Sequence, residues 1–284
     1  MANHVMNKRT DKRGHDDLYK DQVSPLAKQC NGADEYVKCF ENRGLSPFFI
    51  NGSTKGYVRK LTVDKLLDAT RATGLQREQL TVLDAGCGLG QLSTYLACKG
   101  FNVMGVDISD EACRSAKYLS DKIGVSDKCN ILAASLESIP AENLSIDFII
   151  GHASLHHFIK YENVPNEFYR IMKGGAIGFF ADSFGENPVY HLFHNKESMK
   201  RLGDVILSKK LIESYFNQFG VELTPTDWFV MLDKLYLKIA PTRAKKQIKK
   251  LSKMHFWLDR KIPAKSRISL SLSGSVMTII VKPA

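Results

Sequence analysis

The sequence has no long apolar run. No segment approaches the roughly 20 consecutive apolar residues that a membrane-spanning helix needs. The N-terminal stretch MANHVMNKRTDKRGHDDLYKD also lacks the apolar core of a secretory signal. Because 44% of the residues are apolar and 10% are aromatic, the composition is that of an ordinary globular protein. We therefore expect a folded cytoplasmic protein.

Cysteine is scarce and scattered. The chain has six cysteines in 284 residues, and no two of them form a C-x-x-C pair. A disulfide framework and a zinc site are therefore not expected, and a reduced intracellular protein is the simplest interpretation. No cluster of acidic or histidine residues with suitable ligand spacing is evident along the chain, so we expect no bound metal.

Two phosphate-binding fingerprints are absent from the glycine-rich segment VLDAGCGLGQLS at residues 82–93. A dinucleotide-binding loop has a third glycine in the pattern G-x-G-x-x-G, and here that position is Gln91. A P-loop ends in G-K-[ST], and no lysine follows Gly90. Both a pyrophosphate and a triphosphate ligand are therefore disfavoured.

Two acidic residues indicate a different nucleotide. Asp84 precedes Gly86 by two positions, where a carboxylate would repel a pyrophosphate but would suit a cationic ligand. Asp107 ends the next apolar segment, about 20 residues after Gly86, where an acidic residue hydrogen-bonds ribose hydroxyls. A ligand with an adenosine half and a positively charged amino-acid half fits both positions. S-adenosylmethionine is such a ligand.

Short apolar segments alternate with helical patterns in the middle of the chain. This alternation predicts parallel βαβ units and a doubly wound α/β sheet. Ser109 is a candidate N-cap, and Gly124 ends the helix that follows it. The predicted strands are TVLDA, NVMGVD, CNILAA, IDFIIGH and AIGFFADSF, followed later by VELTPTDWFV and SGSVMTIIVKP.

Five motifs in order resemble those of the class I S-adenosylmethionine (SAM)-dependent methyltransferases, in the branch of ubiquinone/menaquinone-type and small-molecule enzymes. They are VLDAGCGLG, GVDIS, ASLESIP, SIDFIIGHASLHHF and RIMKGG, within roughly residues 60–185. The chain departs from the family pattern twice. Ser135 stands where an aspartate normally meets the adenine amino group, and RIMKGG lacks the usual proline.

The resemblance implies a Rossmann-like, mostly parallel sheet with an antiparallel last strand. It implies a helical cover at residues 1–60, a SAM-binding part at 61–185, and a C-terminal part at 186–284 with a basic helical insertion at about 230–267. It also implies release of S-adenosylhomocysteine. The implied cofactor-binding residues are Asp84, Gly86, Cys87, Gly88, Gly90, Gln91, Asp107, Ile108, Ser135, Leu136 and His152.

Candidate catalytic residues follow the fourth predicted strand. Ligands of open α/β sheets bind beyond the carboxyl ends of the strands, and histidine suits proton transfer near neutral pH. We assign His157 as the preferred general base and His156 as the second candidate; the alternative is that the pair only packs. The candidate acceptor-binding residues, four of them an aromatic lid, are Tyr36, Phe40, Phe48, Phe49, Asp182, Tyr190 and His191.

Nearly all of the net charge of +10 lies in one segment. Residues 243–267 contain ten Lys or Arg and one Asp. Such a cationic amphipathic segment can lie on an anionic membrane surface, bind RNA phosphates, or cover the substrate site with solvated lysines. We expect a small-molecule, natural-product or lipid-like acceptor methylated on oxygen or nitrogen. An RNA methyltransferase, a protein methyltransferase and a non-catalytic SAM-fold partner protein are the alternatives.

Overall fold

The computed structural model describes residues 8–22, 24, 26–44, 55–187, 203–226 and 275–284. The predicted basic insertion at about 230–267 lies outside these residues. The helices are α1 (Lys8–Tyr19), α2 (Ala33–Cys39), α3 (Lys55–Thr73), α4 (Gln91–Cys98), α5 (Asp110–Ile123), α6 (Leu155–Phe158), α7 (Val164–Ile171) and α8 (Lys209–Tyr215). The strands are β1 (Thr81–Ala85), β2 (Asn102–Asp107), β3 (Cys129–Ala133), β4 (Ile146–His152), β5 (Met172–Ser183), β6 (Gly220–Thr226) and β7 (Ser275–Val281).

The seven strands form one mixed sheet in the order β3-β2-β1-β4-β5-β7-β6. Strands β1 to β5 pair in parallel, and β7 runs antiparallel to both β5 and β6. The expectation of a doubly wound, mostly parallel sheet with an antiparallel last strand is confirmed. Because the chain order reverses at β1, the carboxyl ends of β1 and β4 flank the crevice in which this class of sheet binds ligands.

Apolar side chains cover both faces of the sheet. One face carries helices α2 to α5 over a core that includes Leu66, Leu96 and Leu119. The other face carries α6 to α8, and there Phe168 and Phe180 stack with ring centroids 6.0 Å apart. Burial on both sides explains why the strands read as nearly continuous apolar runs in the sequence.

The predicted caps of α5 are present. The Ser109 side chain accepts a hydrogen bond from the backbone N–H of Ala112, and Gly124 ends the helix with φ of +80°. A left-handed residue at this position releases the chain from the helix at little cost for glycine. The predicted boundary between residues 60 and 61 falls inside helix α3, so the N-terminal part and the SAM-binding part of the prediction are joined by one continuous helix.

No helix in the described part of the chain is both long enough and apolar enough to span a bilayer. The six cysteines all lie in that part, and each is a free thiol.

Candidate active site

A cavity of about 340 Å³ opens at the carboxyl ends of β1, β2 and β4. Helix α1 contributes to it from the N-terminal cover. Eleven of the predicted site residues line it together: Asp84, Gly86, Cys87, Gly88, Gln91, Asp107, Ile108, Ser135, Leu136, His152 and His157. The fold thus brings together segments from residues 84 to 157 that the sequence motifs had assigned to one pocket.

The three glycines of the loop have positive φ angles and close neighbours. A Cβ on Gly86 (φ +78°) would lie 2.7 Å from the Ser154 Cβ, and a Cβ on Gly88 (φ +52°) would lie 3.1 Å from the Tyr19 hydroxyl. Gly90 is not among the residues that line the cavity. It precedes α4 with φ of +69° and packs against Ala116 of α5. Gly90 therefore has a packing role, whereas the other two leave backbone exposed to a ligand.

Asp84 is buried at the floor of the cavity. The Ser93 hydroxyl donates a hydrogen bond of 2.6 Å to Oδ2 of Asp84. Burial raises the pKa of Asp84 to about 6, although the Ser93 hydroxyl and the Arg59 guanidinium favour the ionised form. Asp84 is therefore a carboxylate that gains from a cationic ligand, as predicted for the ammonium of a bound amino acid.

Asp107 holds the glycine loop to the end of β2. Its Oδ2 accepts a hydrogen bond of 2.9 Å from the Gly88 amide, and its Oδ1 accepts one of 3.0 Å from the Ser109 amide. Burial raises the pKa of Asp107 in spite of these two bonds. Because each carboxylate oxygen can accept more than one hydrogen bond, Asp107 can still accept bonds from ribose hydroxyls.

Ser135 stands in the position that is acidic in the family pattern. Its hydroxyl accepts a hydrogen bond of 3.2 Å from the backbone N–H of Glu137. The O–H can still donate, and the second lone pair can still accept. Apolar Ile108 and Leu136 line the same cavity and would suit the faces of an adenine ring. The Cys87 thiol is also there, and its hydrogen bond with Cys113, together with burial, raises its pKa well above the ordinary value.

Three further cavity residues come from the N-terminal helices and were missed by sequence reasoning. They are His15 and Tyr19 on α1 and Arg59 on α3. The signal for the first two was their spacing of four residues, which places them on one face of a helix. Arg59 is half-buried, with its guanidinium 5.6 Å from the centroid of the Phe40 ring.

Helix α1 is attached to the N-terminal end of α5. The Ser109 hydroxyl donates a hydrogen bond of 2.7 Å to Asp16, and Lys12 forms an ion pair of 2.6 Å with Asp110. On the opposite side, the His15 ring packs edge-on against His157 with centroids 4.9 Å apart. Helix α1 therefore lines the cavity from the N-terminal part of the chain.

The two candidate bases have different surroundings. Nδ1 of His156 lies 2.7 Å from Oδ1 of Asp182, and Nδ1 of His157 lies 2.7 Å from Oδ1 of Asp204. Burial raises the pKa of Asp182, but the charge and hydrogen bonds of His156 outweigh that effect, so its pKa is lowered overall. Among these four residues only His157 lines the cavity. Asp204 was missed because it lies far from the histidines in sequence.

The prediction that Tyr36 and Phe40 form an acceptor lid needs correction. Both side chains are fully buried in the core between α2 and α4 and do not line the cavity. The Tyr36 hydroxyl donates to the Gln91 carbonyl, and Phe40 stacks on Tyr95 with centroids 4.7 Å apart. Tyr36 lies on α2 and Phe40 directly follows it, and packing of both rings on α4 takes them away from the cavity. The remaining acceptor candidates Phe48, Phe49, Tyr190 and His191 lie outside the described residues.

Comparisons with known proteins agree with this geometry. Residues 83–180 match the sequence family described as "Methyltransferase domain". The chain is similar to a sterol 24-C-methyltransferase of Pneumocystis carinii, with 26% identity over 64% of this chain and 53% of that protein. It is also similar to the tRNA 5-carboxymethoxyuridine methyltransferase of Escherichia coli, with 28% identity over 45% of this chain and 49% of that protein. The chain thus spans about half the length of these curated relatives.

A solved structure has the same fold. It is phosphoethanolamine N-methyltransferase 2 of Haemonchus contortus in complex with S-adenosyl-L-methionine, which superposes with a TM-score of 0.54 and 16% identity over 87% of this chain and 60% of that one.

Proposed function

The chain carries a class I methyltransferase domain, and from this premise we propose that it transfers a methyl group from SAM to an oxygen or nitrogen of a small-molecule, natural-product or lipid-like acceptor. The observation that carries the proposal is the single cavity into which Asp84, Asp107 and His157 all face. A site for a cationic amino acid, a site for a ribose and a candidate base are thereby adjacent.

The cofactor would supply an electrophilic methyl group on a sulfonium. The described residues fit it, because Asp84 is a buried carboxylate suited to an ammonium and Arg59 is a cation suited to a carboxylate. The exposed backbone at Gly86 and Gly88 allows close approach of the methionine half. Asp107 would bind the ribose, with Ile108 and Leu136 against the adenine.

His157 would act as the general base. An acceptor hydroxyl or ammonium must lose a proton for its lone pair to attack, and a histidine suits this transfer near neutral pH. Oδ1 of Asp204, 2.7 Å from Nδ1 of His157, favours a proton on that nitrogen. Nε2 would then accept the acceptor's proton. This arrangement has a histidine base and an orienting carboxylate, as in other enzymes that use such pairs.

Phe158 and Tyr161 give part of the cavity an apolar lining, which supports an apolar or flat acceptor over a highly charged one. The similarity to a sterol methyltransferase supports the same class. An RNA acceptor comes second, and the similarity to a tRNA methyltransferase and the charge of residues 243–267 favour it. Those basic residues lie outside the described part of the chain, so peripheral membrane contact through them also stays a prediction.

The test is transfer of labelled methyl from SAM into a cell extract, with small molecules, lipids, RNA and protein separated before counting. We expect label among the small molecules or lipids. Label in RNA would instead favour an RNA methyltransferase. Absence of SAM binding would contradict the methyltransferase assignment itself and would leave the non-catalytic alternative.

With an acceptor identified, His157→Ala is expected to lower kcat by 10²-fold or more, as for loss of a general base, with little change in the Kd for SAM. His156→Ala is the matched control, because His156 is adjacent but does not line the cavity. Equal losses in the two variants would contradict the assignment of His157 as the base.

A further inference from the structure

Two histidines and one aspartate come together beside the cavity. They are His156 and His157 on α6, and Asp204 from the segment that precedes α8. Their ligand atoms all lie within 4.8 Å of one another. We propose that this His-His-Asp triad binds a divalent transition-metal ion of the Zn²⁺ type. The proposal replaces the expectation of no metal, which rested on spacing along the chain.

The separations of the ligand atoms suit one small ion. Nδ1 of His157 lies 2.7 Å from Oδ1 of Asp204, and Nε2 of His156 lies 4.0 Å from Oδ2 of Asp204. Ligands bound tetrahedrally at about 2.1 Å from Zn²⁺ are about 3.4 Å apart. One ligand atom from each residue lies within 4.8 Å of the others, so modest side-chain movements would bring the three to that spacing.

The two ligand atoms that lie closest together lack well-formed hydrogen bonds. Nδ1 of His157 and Oδ1 of Asp204 are both buried, and within the described residues neither has a hydrogen-bond partner of acceptable geometry, although they are in contact. Buried polar atoms cost free energy when they are left without such a bond. A cation between them would be bound by both lone pairs and would remove this cost.

Asp182 orients the third ligand. Its Oδ1 lies 2.7 Å from Nδ1 of His156, and the same carboxylate accepts hydrogen bonds from the backbone N–H groups of His156 and Ser183. A proton on Nδ1 gives Nε2 the lone pair, and Nε2 is the atom that faces Asp204. A carboxylate bound to the far nitrogen of a histidine is the usual support of a metal ligand.

The backbone fixes Asp204 against the histidines. The N–H of Val205 donates a hydrogen bond of 2.9 Å to the carbonyl of His156, and the ammonium of Lys160 donates one of 3.2 Å to the carbonyl of Gly203. The residues on either side of Asp204 are thereby bonded to α6 and to the turn after it. The site therefore joins two segments that are 47 positions apart in sequence.

The chemistry of the donors selects the metal class. Two imidazoles and one carboxylate suit Zn²⁺, Fe²⁺, Co²⁺ or Ni²⁺, whereas Mg²⁺ and Ca²⁺ prefer oxygen ligands alone. Three protein ligands leave a coordination position for an exogenous group, as in catalytic rather than structural zinc sites.

The site also bears on the proposed reaction, and this part of the inference rests on the proposed function. His157 lines the cavity, so an ion bound to its Nδ1 lies next to the acceptor space. With the ion bound, His157 would be a metal ligand instead of the general base, so the two roles of His157 belong to the metal-bound and the metal-free protein; the His157→Ala and His156→Ala variants proposed above are therefore compared with a chelator present. The ion would instead lower the pKa of a coordinated acceptor hydroxyl, whose proton would pass to water.

Binding can be tested without SAM or acceptor. The full chain, stripped with a chelator, is titrated with Co²⁺ and followed by visible absorption, and Zn²⁺ is then added in competition. We expect saturation at one ion per chain, with the intense bands of a four-coordinate site that Zn²⁺ abolishes. Asp204→Ala and His156→Ala should each weaken Co²⁺ binding by at least 10²-fold, and Asp182→Asn should weaken it by about 10- to 100-fold.

His152→Ala is the matched control, since this histidine lines the same cavity but is not one of the three ligands, and its binding curve should be unchanged. Absence of saturable binding would overturn the proposal, and so would binding that Asp204→Ala and His156→Ala both leave intact. Melting curves establish that the variants are folded. The titration contains no SAM, so it is independent of the methyl-transfer assay. Metal binding without methyl transfer would contradict only the proposed function. Methyl transfer without metal binding would contradict only the metal site.

Discussion

The carboxylate of Asp107 accepts a hydrogen bond of 2.9 Å from the amide of Gly88. This bond joins the end of β2 to the glycine loop that follows β1, and the second carboxylate oxygen binds the Ser109 amide at the start of α5. One side chain therefore holds three segments of the cofactor site in register. The loop keeps its shape through Asp107 even before a ligand binds.

Replacement of Asp107 should therefore affect both stability and cofactor binding. Asp107→Ala leaves two buried amides without an acceptor, and we expect a loss of about 1–3 kcal/mol in the free energy of unfolding. The Kd for SAM should rise at least tenfold. Asp107→Asn keeps one acceptor oxygen and should have an intermediate effect. Urea unfolding and calorimetric titration measure the two quantities, and equal Kd values for Asn and wild type would contradict a role for the charge.

Gly90 should be intolerant of any side chain. A Cβ there would lie 2.5 Å from the Cβ of Ala116 and 2.9 Å from its Cα, and φ is +69°. Gly90→Ala thus combines left-handed strain of about 1–2 kcal/mol with a clash against α5. Gly124→Ala is the matched control, because φ is +80° but no atom lies within 4 Å of the new Cβ. Thermal melts should show the larger loss for Gly90→Ala, and equal losses would mean that α5 moves aside without cost.

SAM affinity should fall in mild acid. The pKa of Asp84 is about 6 in the cofactor-free protein, and an ammonium nearby would favour its ionised form. Ligand binding should therefore lower this pKa, so the affinity is greatest above pH 6 and decreases as the pH falls through about 6. Asp107, which is also buried with a raised pKa, should contribute to the decrease. Calorimetric Kd values from pH 5 to 8 test this, with Asp84→Asn expected to flatten the profile.

The raised pKa of Asp84 gives the stability of the cofactor-free protein the opposite pH dependence. Because the pKa of Asp84 rises from 3.8 to about 6 on folding, the native state binds the proton more tightly. The contribution of Asp84 to stability should decrease as the pH rises between about 4 and about 6. Asp84→Asn should remove this dependence from urea unfolding, and a wild-type slope in that variant would show that another group causes it.

A comparison of two helix caps can separate the effect of α1 on SAM binding from a general loss of protein stability. Ser109 caps α5 and also binds Asp16 of α1, whereas Ser208 caps α8 through a bond of 3.3 Å to the Leu211 amide. Each serine-to-alanine change should cost about 1 kcal/mol. Only Ser109→Ala should weaken SAM binding and speed hydrogen exchange in α1. A similar loss of affinity in Ser208→Ala would indicate a general effect of stability.

The parts that could be predicted from sequence are local. Residues such as Val82, Leu83 and Ile149 belong to short apolar runs, and their burial on both faces of a parallel sheet is the reason that such runs identify strands. Ser109 and Gly124 marked the ends of α5 because each satisfies a chemical need of a helix terminus that depends only on neighbouring residues.

Other features depend on contacts between distant segments. Tyr36 and Phe40 were predicted to form part of an aromatic lid over the acceptor, but packing on α4 buries them in the core. His15, Tyr19 and Arg59 reach the cavity only because their helices cross the carboxyl edge of the sheet. The spacing of His15 and Tyr19 places them on one face of a helix, but which surface that face meets depends on tertiary contacts.

The strands, the helix caps, and the glycine loop with Asp84 beside it could be identified from the sequence, because each follows from interactions among residues close together along the chain. Which carboxylate lies beside which histidine depends on the tertiary structure. Asp182 lies beside His156, and Asp204 lies beside His157, through pairings that span tens of residues. Such pairings arise when sheet order and loop path bring the segments together, and no periodicity or spacing encodes them.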